Sequence, residues 1–289
     1  MLENLTELYC SIDDFILSTK KSNNVQIEYK KRRGTVPRLA LSEIITIIVA
    51  YHSSGFKNFK SYYFYLLEQR RVDFPNLVSY NRFLELKSMI IVPLVGYLYS
   101  RFGEPTKANF MDATKIQVCK NKRISSNKVF KGIGTIGKST MGWFFGFKLH
   151  IVVNQNGELL NVVVTRGNTD DRTPVHKLLK SFSGKIYADK GYISKDLFRT
   201  LYKRGIQLIT VVKKKMKNKL MPLEEKLMLR KRSIIETIND ILKNACDCEH
   251  SRHRSPVNFC VNLIAGLISY THREKLPEIK SINSTKLLA

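Results

Sequence analysis

Ala108-Asn-Phe-Met-Asp-Ala-Thr-Lys-Ile-Gln-Val118 is the stretch on which the reading of this chain turns. It has good strand propensity, and alternation at period two puts Phe110, Asp112, Thr114, Ile116 and Val118 on one face. Asp112 is the anomaly. An ionised carboxylate among apolar neighbours is costly unless a cation meets it, so Asp112 needs either a Lys or Arg partner or a bound metal ion.

Two acids further along bear on that choice. Asp189 ends the short strand pattern of Lys185-Ile-Tyr-Ala-Asp189, before Lys190-Gly191. Carboxyl ends of strands in mixed sheets are where sites collect, although an Asp that caps a turn is the plainer reading there. Glu236 lies in Leu229-Arg-Lys-Arg-Ser-Ile-Ile-Glu236, which continues as a helical pattern to Lys243. On a helical wheel Arg232, Glu236, Asn239 and Lys243 share one face, and Ile234, Ile235, Ile238, Ile241 and Leu242 share the other. A surface pair of Glu236 with Arg232 or Lys243 is the structural alternative, and Asp240 stands at the edge of the polar face. Two strand Asp and a helical Glu are hard oxygen donors of the kind that Mg²⁺ or Mn²⁺ takes, and two such ions ~4 Å apart support phosphoryl chemistry.

Composition sets the class. Lys+Arg 49 against Asp+Glu 24 leaves a formal net charge of +25 over 289 residues, which draws the chain to polyanions, nucleic acid before anionic membrane. A hydrophobic share of 43% is ample for a core. The longest apolar runs, Ile44 to Ala50, Met89 to Leu98 and Val257 to Tyr270, fall short of the ~20 residues of a membrane span, and no secretory signal opens the sequence. Five scattered cysteines argue for reduced thiols and a cytoplasmic protein.

The first hundred residues read as helices joined by basic turns, among them the charged loop Lys30-Lys-Arg-Arg-Gly34. Ser42 and Ser79 are the expected N-caps of helices starting at Glu43 and Tyr80. Arg70, Arg71, Arg82 and Lys87 around an apolar core suit a helix-turn-helix-like DNA reader, and equally a plain bundle with a solvated basic face. Pro93 is expected to interrupt the apolar run, and Gly103-Glu-Pro105 marks a boundary. This gives a helical region over 1–104, a catalytic domain over 105–274 and a weakly ordered tail over 275–289.

From Ala108 strands and helices alternate. A charged loop from Lys120 to Lys131 leads to a strand over Gly142 to Val153, the hairpin turn Asn154-Gln-Asn-Gly157 and a returning strand to Thr165. Helices follow over Arg172 to Ser181 and Ser194 to Lys203, strands over Lys185 to Asp189 and Ile206 to Val212, and helix from Pro222 onward. Gly132-Ile-Gly-Thr-Ile-Gly-Lys-Ser139 matches a phosphate-binding loop letter by letter. The mechanism needs a helix immediately after it, and Gly142-Trp-Phe-Phe-Gly146 is no helix start, so a flexible basic loop lying on a DNA backbone is the better expectation.

The order of the acids, with Asp189 inside Ala-Asp-Lys-Gly-Tyr192, resembles the ribonuclease-H-like core of DDE transposases. Arg232, Glu236 and Lys243 stand at the R-x3-E-x6-K spacing of insertion-sequence transposases, with Leu229 where the family carries Tyr. Lys122-Arg-Ile124, Met141 to His150, Arg166-Gly-Asn-Thr-Asp-Asp-Arg172 and Glu249-His-Ser-Arg-His-Arg-Ser255 are similar to insertion-sequence family nine-eighty-two. The resemblance covers most of the chain.

It implies an α/β fold, a ribonuclease-H-like mixed sheet flanked by helices and preceded by a helical N-terminal domain. It also implies a transposase that binds terminal inverted repeats, cleaves strands and joins 3′-hydroxyl ends to target DNA, acting as a homodimer on paired ends in the bacterial nucleoid. Asp112, Asp189 and Glu236 would be catalytic and hold two Mg²⁺ or Mn²⁺ ions. Arg232, Lys243, Lys122, Arg123, Lys131, Lys138, Lys148, His250, Arg252, His253 and Arg254 would contact double-stranded DNA. Cys246, Cys248, His250 and His253 form a zinc-capable set, but the one-residue gap between the cysteines is tighter than usual, and the histidines are assigned to DNA or the acidic site. A nuclease of the same fold without strand transfer, and a non-catalytic DNA-binding protein, are the alternatives.

Overall fold

In the computed structural model the described residues are 5–22, 37–140, 142–212, 221–249 and 253–279. Among them the helices are α1 (Leu5–Lys21), α2 (Leu41–Tyr51), α3 (Phe59–Gln69), α4 (Tyr80–Lys87), α5 (Ile91–Ser100), α6 (Val175–Leu178), α7 (Lys195–Lys203), α8 (Leu223–Lys231), α9 (Ser233–Asp240) and α10 (Pro256–Thr271). The strands are β1 (Asn109–Cys119), β2 (Thr135–Ser139), β3 (Gly142–Asn154), β4 (Leu159–Arg166), β5 (Gly184–Ala188) and β6 (Ile206–Thr210). The loop Lys30 to Gly34 lies outside the described residues, as does most of the 275–289 tail.

Contacts divide the chain into two compact units, Met1–Arg101 with Ile241–Arg273, and Phe102–Asp240 with Glu274–Ala289. Sequence texture suggested uninterrupted segments, whereas here a C-terminal stretch returns to the first unit. In that unit α10 packs on α5 and α2. Its residues from Phe259 to Tyr270 are largely buried, and a helix so apolar carries no polar stripe to tell which layer it joins.

Ser42 is itself buried, and the start of α2 is closed instead by the Glu43 carboxylate, which accepts from the Ala40 backbone N–H at 2.6 Å. Ser79 caps α4 as the sequence indicates, and Asn58 caps α3. Pro93 sits in the first turn of α5, where its missing N–H costs nothing. Together α4, a 3₁₀ turn and α5 make a continuous run, Tyr80–Ser100, of 21 residues, which by length and composition alone could cross a membrane. Phe83, Leu86, Ile90, Leu94 and Tyr97 are buried in the first unit, and a core helix passes that test on the same grounds.

Of the four basic residues expected to form a DNA-reading face, Arg71 is exposed, Arg70 and Arg82 make exposed ion pairs, and Lys87 is enclosed. Lys87 is buried with its Nζ 5.1 Å from the Phe59 ring centroid, and desolvation lowers its pKa to about 8. Arg70 pairs with Asp73, and Arg82 with Glu85 at 2.5 Å. Phe59, Tyr63 and Phe83 cluster around Lys87's helix with ring centroids 4.7–6.0 Å apart.

The second unit is built on one mixed sheet in the order β2-β3-β1-β5-β6, with β4 also paired to β3. β1 and β3 are antiparallel, and β5 and β6 run parallel to β1. This is the ribonuclease-H-like arrangement. Successive β1 residues face opposite layers. Met111 enters a core with Val152, Val175, Leu178, Ile186, Leu197 and Leu201, which α6 and α7 cover. α9 packs on β1, and α8 on β5 and β6. Glu225 fixes α8 in place, accepting from Lys185 Nζ and from the Tyr187 hydroxyl, each at 2.6 Å.

Two local expectations fail. The helix expected over Arg172 to Ser181 shrinks to the single turn of α6. The second half of the phosphate-loop letters, Thr135–Ser139, forms β2, a strand paired with β3 that follows a turn over Gly132 and Ile133, so the segment is no helix-opening cradle.

Gly146 in β3 has φ 153°, and a Cβ there would lie 2.2 Å from the Ile116 carbonyl oxygen of β1. Gly191 has nothing within 4 Å of its would-be Cβ. Gly146→Ala is therefore predicted to destabilise by roughly 3 kcal/mol or more, and Gly191→Ala to stay within about 0.5 kcal/mol of wild type, in urea unfolding followed by circular dichroism.

Candidate active site

Strand register brings the first two acids together. In the parallel pairing of β1 with β5, Phe110 is opposite Tyr187, so Asp112 and Asp189 each lie two residues beyond that pair, on neighbouring strands about 5 Å apart. β5 stops at Ala188, and Asp189 opens the 3₁₀ turn Lys190–Tyr192. Asp112 stays within β1, where its Cα partner on β3 is Ile151.

α9 supplies the third acid. Ile234, Ile235 and Ile238 bury its apolar stripe, which turns Glu236 away from the core. Arg232, in the joint between α8 and α9, has one guanidinium nitrogen 3.2 Å from Glu236 Oε1 and 4.0 Å from Asp189 Oδ1. One turn beyond Glu236, Asn239 is buried and its Nδ2 lies 3.4 Å from Asp112 Oδ2. All three acids thus meet groups carried on or beside one short helix. The side chains of Glu236 and Asp189 are 61% and 42% exposed while Arg232 is 18% exposed, so the acids open to solvent and the cation is folded in among them.

Burial pushes the Asp112 carboxyl up to about 6, and the charges of Asp189 and Asp171 push the same way; a hydrogen bond from the Ala113 backbone and the charge of Arg232 oppose them. The Tyr192 hydroxyl is held well above its ordinary value by burial and then by Asp112, Asp171 and Asp189. The field is that of clustered negative charge only partly neutralised by Arg232. Three carboxylates in such a field have the chemistry of a divalent-cation site. Among the described residues no three Asp, Glu, His or Cys side chains enclose a common point closely enough to hold a metal, and at the acids the Arg232 guanidinium lies near both Asp189 and Glu236.

The other residues singled out from sequence separate into groups. Lys122, Arg123, Lys131 and Lys138 are exposed along the segment leading into and through β2. Lys148 is turned inward, 2.8 Å from Asp171 Oδ1 and 2.8 Å from the Thr169 carbonyl. Lys243 lies in the first unit, in a π-helical turn (Ile241–Ala245), 3.4 Å from Glu249. Leu229 to Lys243 is α8, α9 and a π-helical turn, and over Ile241–Ala245 a wheel at about 100° per residue no longer applies. His253 packs edge-on against Phe259, and Arg254 is exposed. His250 and Arg252 lie outside the described residues.

Cys246 and Cys248 are buried, with both thiols pushed up by desolvation, Cys246 to about 11, and Cys248 Sγ lies 4.0 Å from the Leu263 carbonyl. Zinc needs thiolates, and burial here favours the protonated thiol.

Three residues near the acids went unassigned in the sequence. Asp171 and Tyr192 carry no marker beyond lying in the Asp-Asp and Lys-Gly-Tyr segments. Asn239 had one, its i+3 spacing from Glu236, although its role toward Asp112 did not follow from that.

The raised carboxyl of Asp112 has a sign. The protonated form fits the fold better, so its contribution is fully present below about pH 4 and lost as pH rises through about 6. Without divalent cations, Asp112→Asn is predicted to raise the melting temperature at pH 8 by several degrees and to leave it little changed at pH 4; thermal scans at the two pH values check this.

With the geometry in place, comparison with known proteins adds the family. No curated protein matches the chain. Among solved structures, the chain is similar to a piggyBac transposase in a synaptic complex with hairpin DNA, at 11% identity and TM-score 0.45, over 92% of this chain and 72% of that one. It is also similar to a chain of a simian T-cell lymphotropic virus intasome in complex with PP2A regulatory subunit B56 gamma, at 15% identity and TM-score 0.27, over 68% of each. The sequence profile of the transposase DDE domain matches residues 102–256, the stretch that holds β1, the turn after β5 and α9. The protein belongs to the transposase DDE-domain family.

Proposed function

We propose that this chain is the transposase of a bacterial insertion sequence, similar to family nine-eighty-two, acting on the terminal inverted repeats of its element in the cytoplasm. The observation that carries the reading is the adjacency of Asp112 and Asp189 on paired parallel strands, with Glu236 linked to Asp189 through one Arg232 nitrogen. Structural ion pairing alone does not account for Asp112, which among the described residues meets the Asn239 amide at 3.4 Å and no cation at ion-pair distance to offset its burial.

Asp112, Asp189 and Glu236 would hold Mg²⁺ or Mn²⁺. Bound there, the ions supply an activated oxygen nucleophile and charge that stabilises the leaving 3′-oxygen. The chain's own residues set the stage for that chemistry. Asn239 donates to one Asp112 oxygen at 3.4 Å and so helps to position the carboxylate. Glu225, bound to Lys185 and Tyr187, anchors the helix that leads into Arg232 and Glu236.

Arg232, beside Asp189 and Glu236, would contact the phosphate being cut, its planar guanidinium being suited to bidentate binding of phosphate oxygens. Lys122, Arg123, Lys131 and Lys138 bind the DNA backbone, adding affinity without reading sequence. A homodimer on paired DNA ends, Arg254 on DNA, and strand joining after cleavage belong to the same proposal.

A labelled duplex bearing the element's terminal repeat, incubated with Mg²⁺ or Mn²⁺, tests it. Wild type should cut at the repeat end and join the product to a second duplex. Asp112→Ala, Asp189→Ala and Glu236→Ala should each lose about 10³-fold or more in cleavage while DNA affinity stays within about threefold. Variants that cut as well as wild type would sink the site, and cleavage without joined products would make the protein a nuclease.

A further inference from the structure

Trp143 is the chain's single tryptophan, and neither the sheet nor the acidic site uses its side chain. It sits on β3 near the end of the β2–β3 hairpin, directly across from Lys138. Its side chain is 59% exposed. Leaving so large an apolar ring in water forfeits burial that a core position would give, which marks it as a contact surface.

Its surroundings name the partner. Lys138 Nζ lies 5.5 Å from the ring centroid, so a cation covers part of the indole and the remainder stays open. The Asn121 side-chain amide donates to the Trp143 carbonyl at 2.8 Å, fastening the hairpin to the 3₁₀ turn that exposes Lys122 and Arg123. Lys138 on the ring, with Lys122 and Arg123 exposed on the adjoining 3₁₀ turn, makes a basic surface that repels a second copy of itself and attracts a polyanion. Nucleic acid meets both halves of the surface, with phosphates for the cations and a base for the ring.

Resting on the DNA-processing reading above, we propose that Trp143 is a stacking platform for an unpaired base of the bound DNA. A base inside an intact duplex has both faces covered, so the platform selects bases freed at an end, a nick or a flipped position. The span of β3 from Trp143 to Ile151, the partner of Asp112, is at most about 26 Å at the strand rise, so the stacked base lies within about one turn of DNA from the acids.

Because the chain has no other tryptophan, its intrinsic emission reports this ring directly. The full chain is titrated with oligothymidylate, with a blunt duplex of equal length, and with phosphatidylglycerol-containing vesicles, while fluorescence anisotropy of labelled DNA gives affinity independently. The expected result is quenching of Trp143 by oligothymidylate and roughly tenfold weaker binding of it by Trp143→Ala. Trp143→Phe should recover most of that loss, and duplex affinity should change less than about twofold. DNA binding with unchanged emission and an unaffected Trp143→Ala overturns the stacking role and leaves the DNA-processing reading standing. A response to vesicles alone overturns it in favour of a membrane contact. Failure to bind any DNA overturns the DNA-processing reading and this inference with it.

Discussion

A carboxylate in the middle of a sheet strand is the constraint to which the second unit answers. Asp112 is held by β1 between apolar neighbours, with β3 on one side and β5 on the other. Burial and the charges of Asp189 and Asp171 all oppose its ionisation. What the fold supplies in return is limited: a backbone hydrogen bond, the field of Arg232 and one long contact from Asn239. A fold selected only for stability would replace such a residue with an apolar one of similar volume. Retaining it makes sense where the uncompensated charge is used.

The rest of the unit can be followed from there. Parallel pairing of β5 with β1 sets Asp189 beside Asp112 and lets β5 end there, opening a crevice at its carboxyl end. α8 and α9 cover that layer, and the joint between them delivers Arg232. Arg232 stands between Asp189 and Glu236 and offsets part of their charge. Glu225 makes the arrangement rigid, since losing its bonds to Lys185 and Tyr187 would leave buried polar groups unpaired under the helix that carries the arginine.

The central acids were readable in the sequence because strand alternation and a strand end are local signals. Asp112 stood out as polar on an apolar face, and Asp189 as the last residue of a short strand pattern. What stayed hidden depended on distant partners. α10 is apolar nearly all round, so nothing in it told that α5 and α2, rather than the sheet, would bury it. Lys87 looked like a surface cation, and only the packing of Phe59 shows that it is enclosed. Lys148 read as a DNA contact until β4 and the loop after it brought Asp171 alongside. β2 was concealed by glycines whose letters imitate a phosphate loop, although Thr135 and Ile136 already favour a strand. Lys243 falls in a π-helical turn after α9, which a wheel at about 100° per residue does not describe.

The central claim is that Asp112, Asp189 and Glu236 share one divalent-cation site despite their separation in the chain. Localised hydroxyl-radical cleavage of the protein backbone by Fe²⁺ and ascorbate tests it most directly, since iron in place of Mg²⁺ cuts the chain only near where it is bound. The account predicts breaks clustered around residues 112, 189 and 236 that disappear with excess Mg²⁺ and in Asp112→Asn. Breaks confined to one of the three positions, or found elsewhere and untouched by Mg²⁺, would contradict it.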